Sequence, residues 1–344
     1  MRFADIRDQD GALEIFRRAV ANDKVPHAYL FEGPAGVGKN IAARALAMIL
    51  NCDEPGDDSC GVCVNCRKII GDVHPDVRFL GLPEGKRRIP IEMVRNVQGW
   101  MEIRPHEGKA KVLVIDPADL LTEQAANALL KTLEEPRAGS LIILISDHAS
   151  SLLPTIRSRC QSVRFGALDE STVVDLLLEK GLDKKESALV AALCSGSMER
   201  ASRYTGEDLA ERMQAVTTLL RSASDNTPQN AMAIAAALRG DRDETLAVLE
   251  LMLQVLDELM WLRSRPSDET VAQSALVRFF GDLLEDLAQR GSPQRMAQYI
   301  AAVYKAITAM TRNNMNPQLA VEGMVLAMRG RTSGGEAWGR IGAR

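Results

Sequence analysis

The stretch His27-Ala28-Tyr29-Leu30-Phe31-Glu32-Gly33-Pro34-Ala35-Gly36-Val37-Gly38-Lys39-Asn40 decides how the rest of the chain is read. Residues 27–32 are a short apolar run of strand type and residues 41–50 an apolar helical run, so the glycine-rich segment lies between a strand and a helix. This is G-x4-G-K in the context the motif requires. Gly33, Gly36 and Gly38 let backbone N–H groups wrap a phosphate, the helix start adds positive potential, and Lys39 is placed to reach the β- and γ-phosphates. The next position, which normally offers magnesium a hydroxyl, is Asn40. An amide oxygen is a poorer magnesium ligand there, so the spacing predicts a loop able to take phosphate yet compromised for catalysis, with ATP and Mg2+ as its implied ligands.

Working outward, residues 77–80 read as a second strand and residues 111–115 as a third, closing on Asp116. In P-loop ATPases a carboxylate at such a strand end holds magnesium. The following residue, where an ATPase places the group that activates water, is Pro117, which can neither accept a proton nor orient water. Asp119 reads as the cap of a helix beginning near Leu120. A further strand, residues 141–146, ends on Ser146, whose simplest role is a strand-end cap, and leads into a loop over 147–154.

Between the first helix and the second strand lie Cys52, Cys60, Cys63 and Cys66, spaced C-x7-C-x2-C-x2-C. Four thiolates at this spacing can close a tetrahedron around one structural Zn2+. The alternatives are reduced thiols or, in a secreted chain, disulfides. Residues 1–10 carry Arg2, Asp5, Arg7, Asp8 and Asp10 with no apolar signal core, which argues against secretion and leaves zinc as the reading. No segment approaches the roughly 18 apolar residues of a membrane span. Cys160 and Cys194 lie far from the tetrad and read as buried thiols.

The chain has 344 residues, 46% of them hydrophobic, enough for two or three domains. A net charge of −4 and a pI near 5.8 exclude a broad electrostatic grip on nucleic acid, so any DNA contact must be local or shared. Residues 207–329 read as helical. Leu246, Leu249, Leu253, Leu256 and Met260 form an apolar stripe widened by Val248, Met252, Val255 and Leu259, the pattern of a helix covered on more than one side. Residues 330–344 contain five glycines and read as a mobile tail.

Specific segments then carry a family resemblance. Residues 115–121, Ile-Asp-Pro-Ala-Asp-Leu-Leu, and 125–136, Ala-Ala-Asn-Ala-Leu-Leu-Lys-Thr-Leu-Glu-Glu-Pro, resemble the central segment of the bacterial DNA polymerase III clamp-loader AAA+ subunits. So do Arg157-Ser158-Arg159-Cys160, with the Ser-Arg-Cys motif, and Asn314-Met315-Asn316-Pro317-Gln318-Leu319-Ala320-Val321-Glu322 near the end. Together with the cysteine tetrad the likeness covers about residues 1–328. It implies an α/β plus all-α architecture: an AAA+ P-loop domain over 1–166 with a zinc insert at 52–66, a helical lid over 167–206, a helical collar over 207–329 and the tail.

Arg157 and Arg159 taken alone read as surface charges; by the same resemblance both lie on the rim that faces a neighbour's nucleotide, and Arg159 is the arginine finger offered to it. Ser146 falls at the sensor-1 position. Glu199 stands where the family's sensor-2 arginine is usual, with Arg200 displaced by one residue, a turn of about 100° around a helix. Asn40 and Pro117 depart from the gamma/tau motor subunits, so the likeness points to the stator-like branch of the loader. The alternative is a gamma/tau-type ATPase. The implied partners are gamma/tau and delta subunits, the sliding beta clamp and primed DNA, in a cytoplasmic, replisome-associated assembly with no membrane. The chain would have no polymerase site of its own and an absent or weak ATPase.

Overall fold

The computed structural model describes residues 1–54, 56–204, 208–224, 241–264, 280–281, 292–311 and 313–329. The chain divides into two compact units, one of residues 1–173 with 195–200, the other of residues 174–194 with 201–344. The expected tail at 330–344 lies outside the described residues.

The first unit is built on a parallel sheet. After helix α1 (Asp10–Ala21), strand β1 (Ala28–Glu32) leads through the glycine loop into α2 (Lys39–Asn51), and α3 (Val64–Ile70) precedes β2 (Val77–Leu80). Then follow α4 (Ile91–Met101), β3 (Lys111–Ile115), α5 (Glu123–Glu134), β4 (Ser140–Ser146), the single turn α6 (Pro154–Arg157) and β5 (Gln161–Arg164). The strand order is β5-β1-β4-β3-β2, every pair parallel.

The strands are apolar without alternation because both faces are covered. Successive side chains point to opposite faces, and the core divides accordingly. Tyr29, Phe31, Val112, Val114, Ile143 and Ile145 pack with Phe16 of α1 and Leu46 of α2. Leu30, Leu113, Ile115, Ile142 and Leu144 pack with Val94 of α4 and Leu129 of α5 on the other face. Phe3, Phe16, Tyr29, Phe31 and Phe165 form a ring cluster with centroid separations of 5.0–6.5 Å. Thr122 caps α5, its side chain accepting the N–H of Ala125 at 3.2 Å. The cap expected at Asp119 is therefore at Thr122, because residues 118–120 first make a short 3-10 turn and the helix begins only at Glu123. Strand β5 is absent from the sequence reading: of its four residues only Val163 is buried, which leaves no apolar run to detect.

The second unit is helical in its described parts: α7 (Glu170–Glu179), which begins in the first unit, α8 (Lys184–Cys194), α9 (Met198–Arg203), likewise shared, α10 (Asp208–Ser224), α11 (Arg242–Ser264), α12 (Pro293–Thr311) and α13 (Pro317–Met328). Helix α11 packs against α10 and α12, and α12 against α13. The expected stripe on α11 is buried except at its ends. Val248, Met252, Val255 and Leu259 are buried with Leu249, Leu251, Leu253 and Leu256, whereas Leu246 and Met260 are only half-buried. The residues read as the widening are all buried, since two neighbouring helices cover α11. Asn316 caps α13 by accepting the N–H groups of Gln318 and Leu319, and Pro317 takes the first helical position, where a missing N–H costs nothing.

Candidate phosphate-loop, metal and arginine sites

The carboxyl ends of β1, β3 and β4 bring the glycine loop, Asp116 and the Ser146-Asp147 pair to one side of the sheet, the side on which parallel α/β sheets hold ligands. Gly36 has φ +70°, and a Cβ on it would lie 2.3 Å from the backbone N of Glu199. Gly33 is equally constrained, since a Cβ there would lie 2.2 Å from the carbonyl oxygen of Phe165. Gly38 caps α2 in the left-handed region. The segment 195–200 lies on the loop: Ser197 Oγ donates to the Ala35 carbonyl at 2.7 Å, and the Met198 N–H to that of Gly36 at 3.1 Å. The backbone of Glu199 therefore meets the loop, and Glu199 and Arg200 have exposed side chains.

Lys39 is 4% exposed and turned back into the chain. Its Nζ donates to the Gly33 carbonyl at 2.7 Å, to the Pro34 carbonyl, and to Asp147 Oδ1 at 2.8 Å. An ammonium has three protons, and three acceptors of this chain surround it. Asn40 Nδ2 donates to Asp116 Oδ2 at 2.8 Å, so the residue in the magnesium-ligand position bonds the carboxylate expected to hold that ion. Burial raises the pKa of Asp116 and the Asn40 bond opposes the rise. Ser146 is fully buried. Its Oγ donates to Asp119 Oδ1 at 2.9 Å and accepts the His148 N–H at 3.1 Å, which ties the end of β4 to the turn after β3. With Asn40 in place of a hydroxyl and Pro117 after Asp116, the arrangement lacks the magnesium hydroxyl and the water-activating group of a hydrolysing P-loop site, while the glycine loop and Lys39 keep the parts that meet phosphate.

The tetrad does fit a metal. Cys52 ends α2, Cys63 caps α3, and the sulfurs of Cys52, Cys60, Cys63 and Cys66 all lie within 4.8 Å of one another. A tetrahedron with bonds of about 2.3 Å separates its sulfurs by about 3.8 Å, close to this packing. Backbone N–H groups of Cys60, Cys63 and Cys66 point at the sulfurs of Cys52, Cys60 and Cys63 at 3.5, 3.3 and 3.4 Å. Burial pushes the Cys52 and Cys66 thiols up, whereas the N–H groups of Val62 and Cys63 bring Cys60 down to about 7. Four converging thiolates repel one another, and a dication at their centre removes that repulsion. Cys160, half-buried, has its thiol pushed up to about 12 by burial, and Cys194 is buried.

The insert is fastened to the sheet by a polar cluster that the sequence reading missed. Asp76, fully buried, accepts the N–H groups of His106, Glu107 and Gly108 at 2.8–2.9 Å and pairs with buried Lys111 at 3.4 Å. Burial alone would raise its pKa, but the Gly108, His106 and Glu107 bonds and the Lys111 ammonium hold it at about 2. Asn51 Oδ1 accepts the Ala110 N–H, and Lys109 Nζ donates to the Cys52 carbonyl at 2.6 Å.

Arg159 follows α6. Its Nη2 pairs with Glu134 Oε1 at 2.7 Å and its Nη1 donates to the Thr155 carbonyl at 2.9 Å, yet its side chain remains 36% exposed. Arg157 is exposed. No helix among the described residues is long and apolar enough to cross a membrane.

A family model described as DNA polymerase III, delta subunit, matches residues 8–169. The chain is 33% identical over 211 residues to DNA polymerase III subunit delta' of Bacillus subtilis (strain 168), covering 61% of this chain and 64% of that one. It is 31% identical over 322 residues to DNA polymerase III subunit tau of Escherichia coli (strain K12), covering 90% of this chain and 47% of that one. The match thus spans just under two thirds of the Bacillus delta' and about half of tau. DNA polymerase III subunit delta' of Escherichia coli (strain K12) aligns over 315 residues at 30% identity, covering 87% of this chain and 88% of that one. The chain therefore belongs to the delta' family of DNA polymerase III subunits.

Proposed function

We propose that this chain is the stator-like delta' subunit of a DNA polymerase III clamp loader, a non-hydrolysing member that helps place the sliding beta clamp on primed DNA. It joins gamma/tau and delta subunits, with its helical C-terminal part as the collar and residues 167–206 as the lid of an AAA+ domain. The observation that carries this reading is the Asn40–Asp116 hydrogen bond followed by Pro117. A P-loop ATPase needs magnesium held at that carboxylate and a group that activates water beside it. Asn40, a poorer magnesium ligand than a hydroxyl, stands bonded to that carboxylate, and Pro117, which cannot activate water, stands beside it.

In this reading ATP is hydrolysed on neighbouring subunits, and Arg159 extends toward one of their nucleotides to stabilise charge on the transferring γ-phosphoryl group. Cys52, Cys60, Cys63 and Cys66 hold one structural zinc, which orders the insert and performs no chemistry. The protein works in the cytoplasm with the replication machinery. Reconstitution tests the role: gamma/tau and delta mixed with this chain should form a stoichiometric complex that loads the clamp, and omission of the chain should abolish loading. Loading undiminished by omission would overturn the assignment.

A further inference from the structure

We infer that Asp147 is an internal lock on a latent polyphosphate site: its carboxylate occupies the P-loop lysine in the place a phosphate oxygen would take. The inference rests on the non-hydrolysing reading above and adds the residue that keeps the loop closed.

Two of the three acceptors around Lys39, the carbonyls of Gly33 and Pro34, belong to the loop itself and move with it. The third, Asp147 Oδ1 at 2.8 Å, comes from the residue after β4 and carries the only full charge of the three. A phosphate oxygen entering the loop needs one of the three Lys39 protons, and Asp147, the anionic and solvent-facing acceptor, is the one that competes for it by charge. The loop is otherwise still shaped for phosphate. Gly33, Gly36 and Gly38 keep positive φ values, Gly38 caps α2, and α2 runs 13 residues from Lys39, so its positive end faces the loop.

The asymmetry of the pair shows which partner yields. Lys39 is 4% exposed, whereas the Asp147 side chain is 38% exposed. Asp147 can swing into water at little cost, while Lys39 cannot leave. Replacing Asp147 with a neutral residue therefore removes a competing anion without opening a cavity in the core. The ligand class that gains is polyphosphate, free or carried by a nucleotide, and the gain needs no magnesium because Asn40 still bonds Asp116.

The test is calorimetric titration of the full zinc-loaded chain with inorganic tripolyphosphate and with ATP, both without magnesium, comparing wild type, Asp147→Asn, Asp147→Ala and Asp147→Asn combined with Lys39→Ala. The lock predicts a roughly five- to tenfold gain in affinity in both single variants, the scale of one partly exposed ion pair, and loss of the gain in the double variant. Equal gains for both ligands place recognition on the phosphates, and a gain for ATP alone would overturn that assignment. Unchanged affinity in variants with wild-type melting curves would overturn the lock, as would a gain that survives Lys39→Ala. Failure of the stator reading looks different: hydrolysis of magnesium-ATP by Asp147→Asn would leave the lock standing and refute the non-hydrolysing assignment.

Discussion

Helix α2 connects two sites that have been treated oppositely. At its first residue, Lys39, every proton of a phosphate-binding lysine is directed to an acceptor of the same chain. At its far end, Cys52 opens a group of four sulfurs that lie within 4.8 Å of one another. In the proposed function the contrast separates a site kept for its shape from one kept for its ligand.

Breaking the comparison at the tetrad should have the largest effect. Chelation, or Cys66→Ser, should unfold the insert and lower overall stability by more than about 3 kcal/mol, since the free energy of a structural metal is folding free energy. Elemental analysis should find one zinc per chain, and thermal unfolding with and without chelator should show the loss. An unshifted melting temperature after complete metal removal would contradict it.

The Asp76 cluster should come next, because it ties the 106–108 loop and the start of β3 to the start of β2. Asp76→Ala leaves three backbone N–H groups and buried Lys111 without their acceptor and should cost about 3–5 kcal/mol in chemical denaturation. The pH dependence has a definite sign. The folded-state value is depressed to about 2 from 3.8, so this stabilisation is complete above about pH 4 and is lost as pH falls through 2. The difference is worth about 2 kcal/mol. Wild type should lose that increment between pH 4 and 2, and Asp76→Asn should lack it.

Arg159 sharpens the comparison from outside, as a residue whose partner is expected on another subunit. Arg159→Ala should leave folding and assembly intact while lowering DNA- and clamp-stimulated ATP hydrolysis by the reconstituted loader. Loss of a trans arginine costs roughly 10³–10⁵ at its own site, and the complex as a whole should lose less because other interfaces supply their own arginines. Arg157→Ala, an exposed charge close by, should change the rate little. Equal losses would reduce the effect to general electrostatics. The smallest effect belongs to Glu134→Gln: a half-exposed ion pair contributes about 0.2–1 kcal/mol, so denaturant midpoints should barely move.

The sequence made the loop, the tetrad and most of the sheet legible because each is written in contiguous residues. Glycines with Lys39 between a strand and a helix, cysteines with two residues between them, and the short apolar-rich runs at 77–80 and 111–115 need no tertiary information. What escaped reading is made through space. Asp147 is an ordinary residue after a strand until Lys39 is found beside it, 108 positions away in sequence. Glu134 ends a helix like many acidic residues until Arg159 meets it. Asp76 lies next to a proline in a turn, and its role depends on a loop 30 residues on. The stripe on α11 is buried at Leu249, Leu253 and Leu256 and at all four widening residues, with only its ends, Leu246 and Met260, half-buried, because periodicity locates an apolar face and neighbouring helices decide how far it extends.

The most direct test of the account is ATP turnover by the isolated, zinc-loaded chain with magnesium, compared with Lys39→Ala. If hydrolysis belongs to other subunits, wild type and variant should show the same negligible rate. Robust turnover by wild type that Lys39→Ala abolishes would contradict the account and make this chain a motor of gamma/tau type.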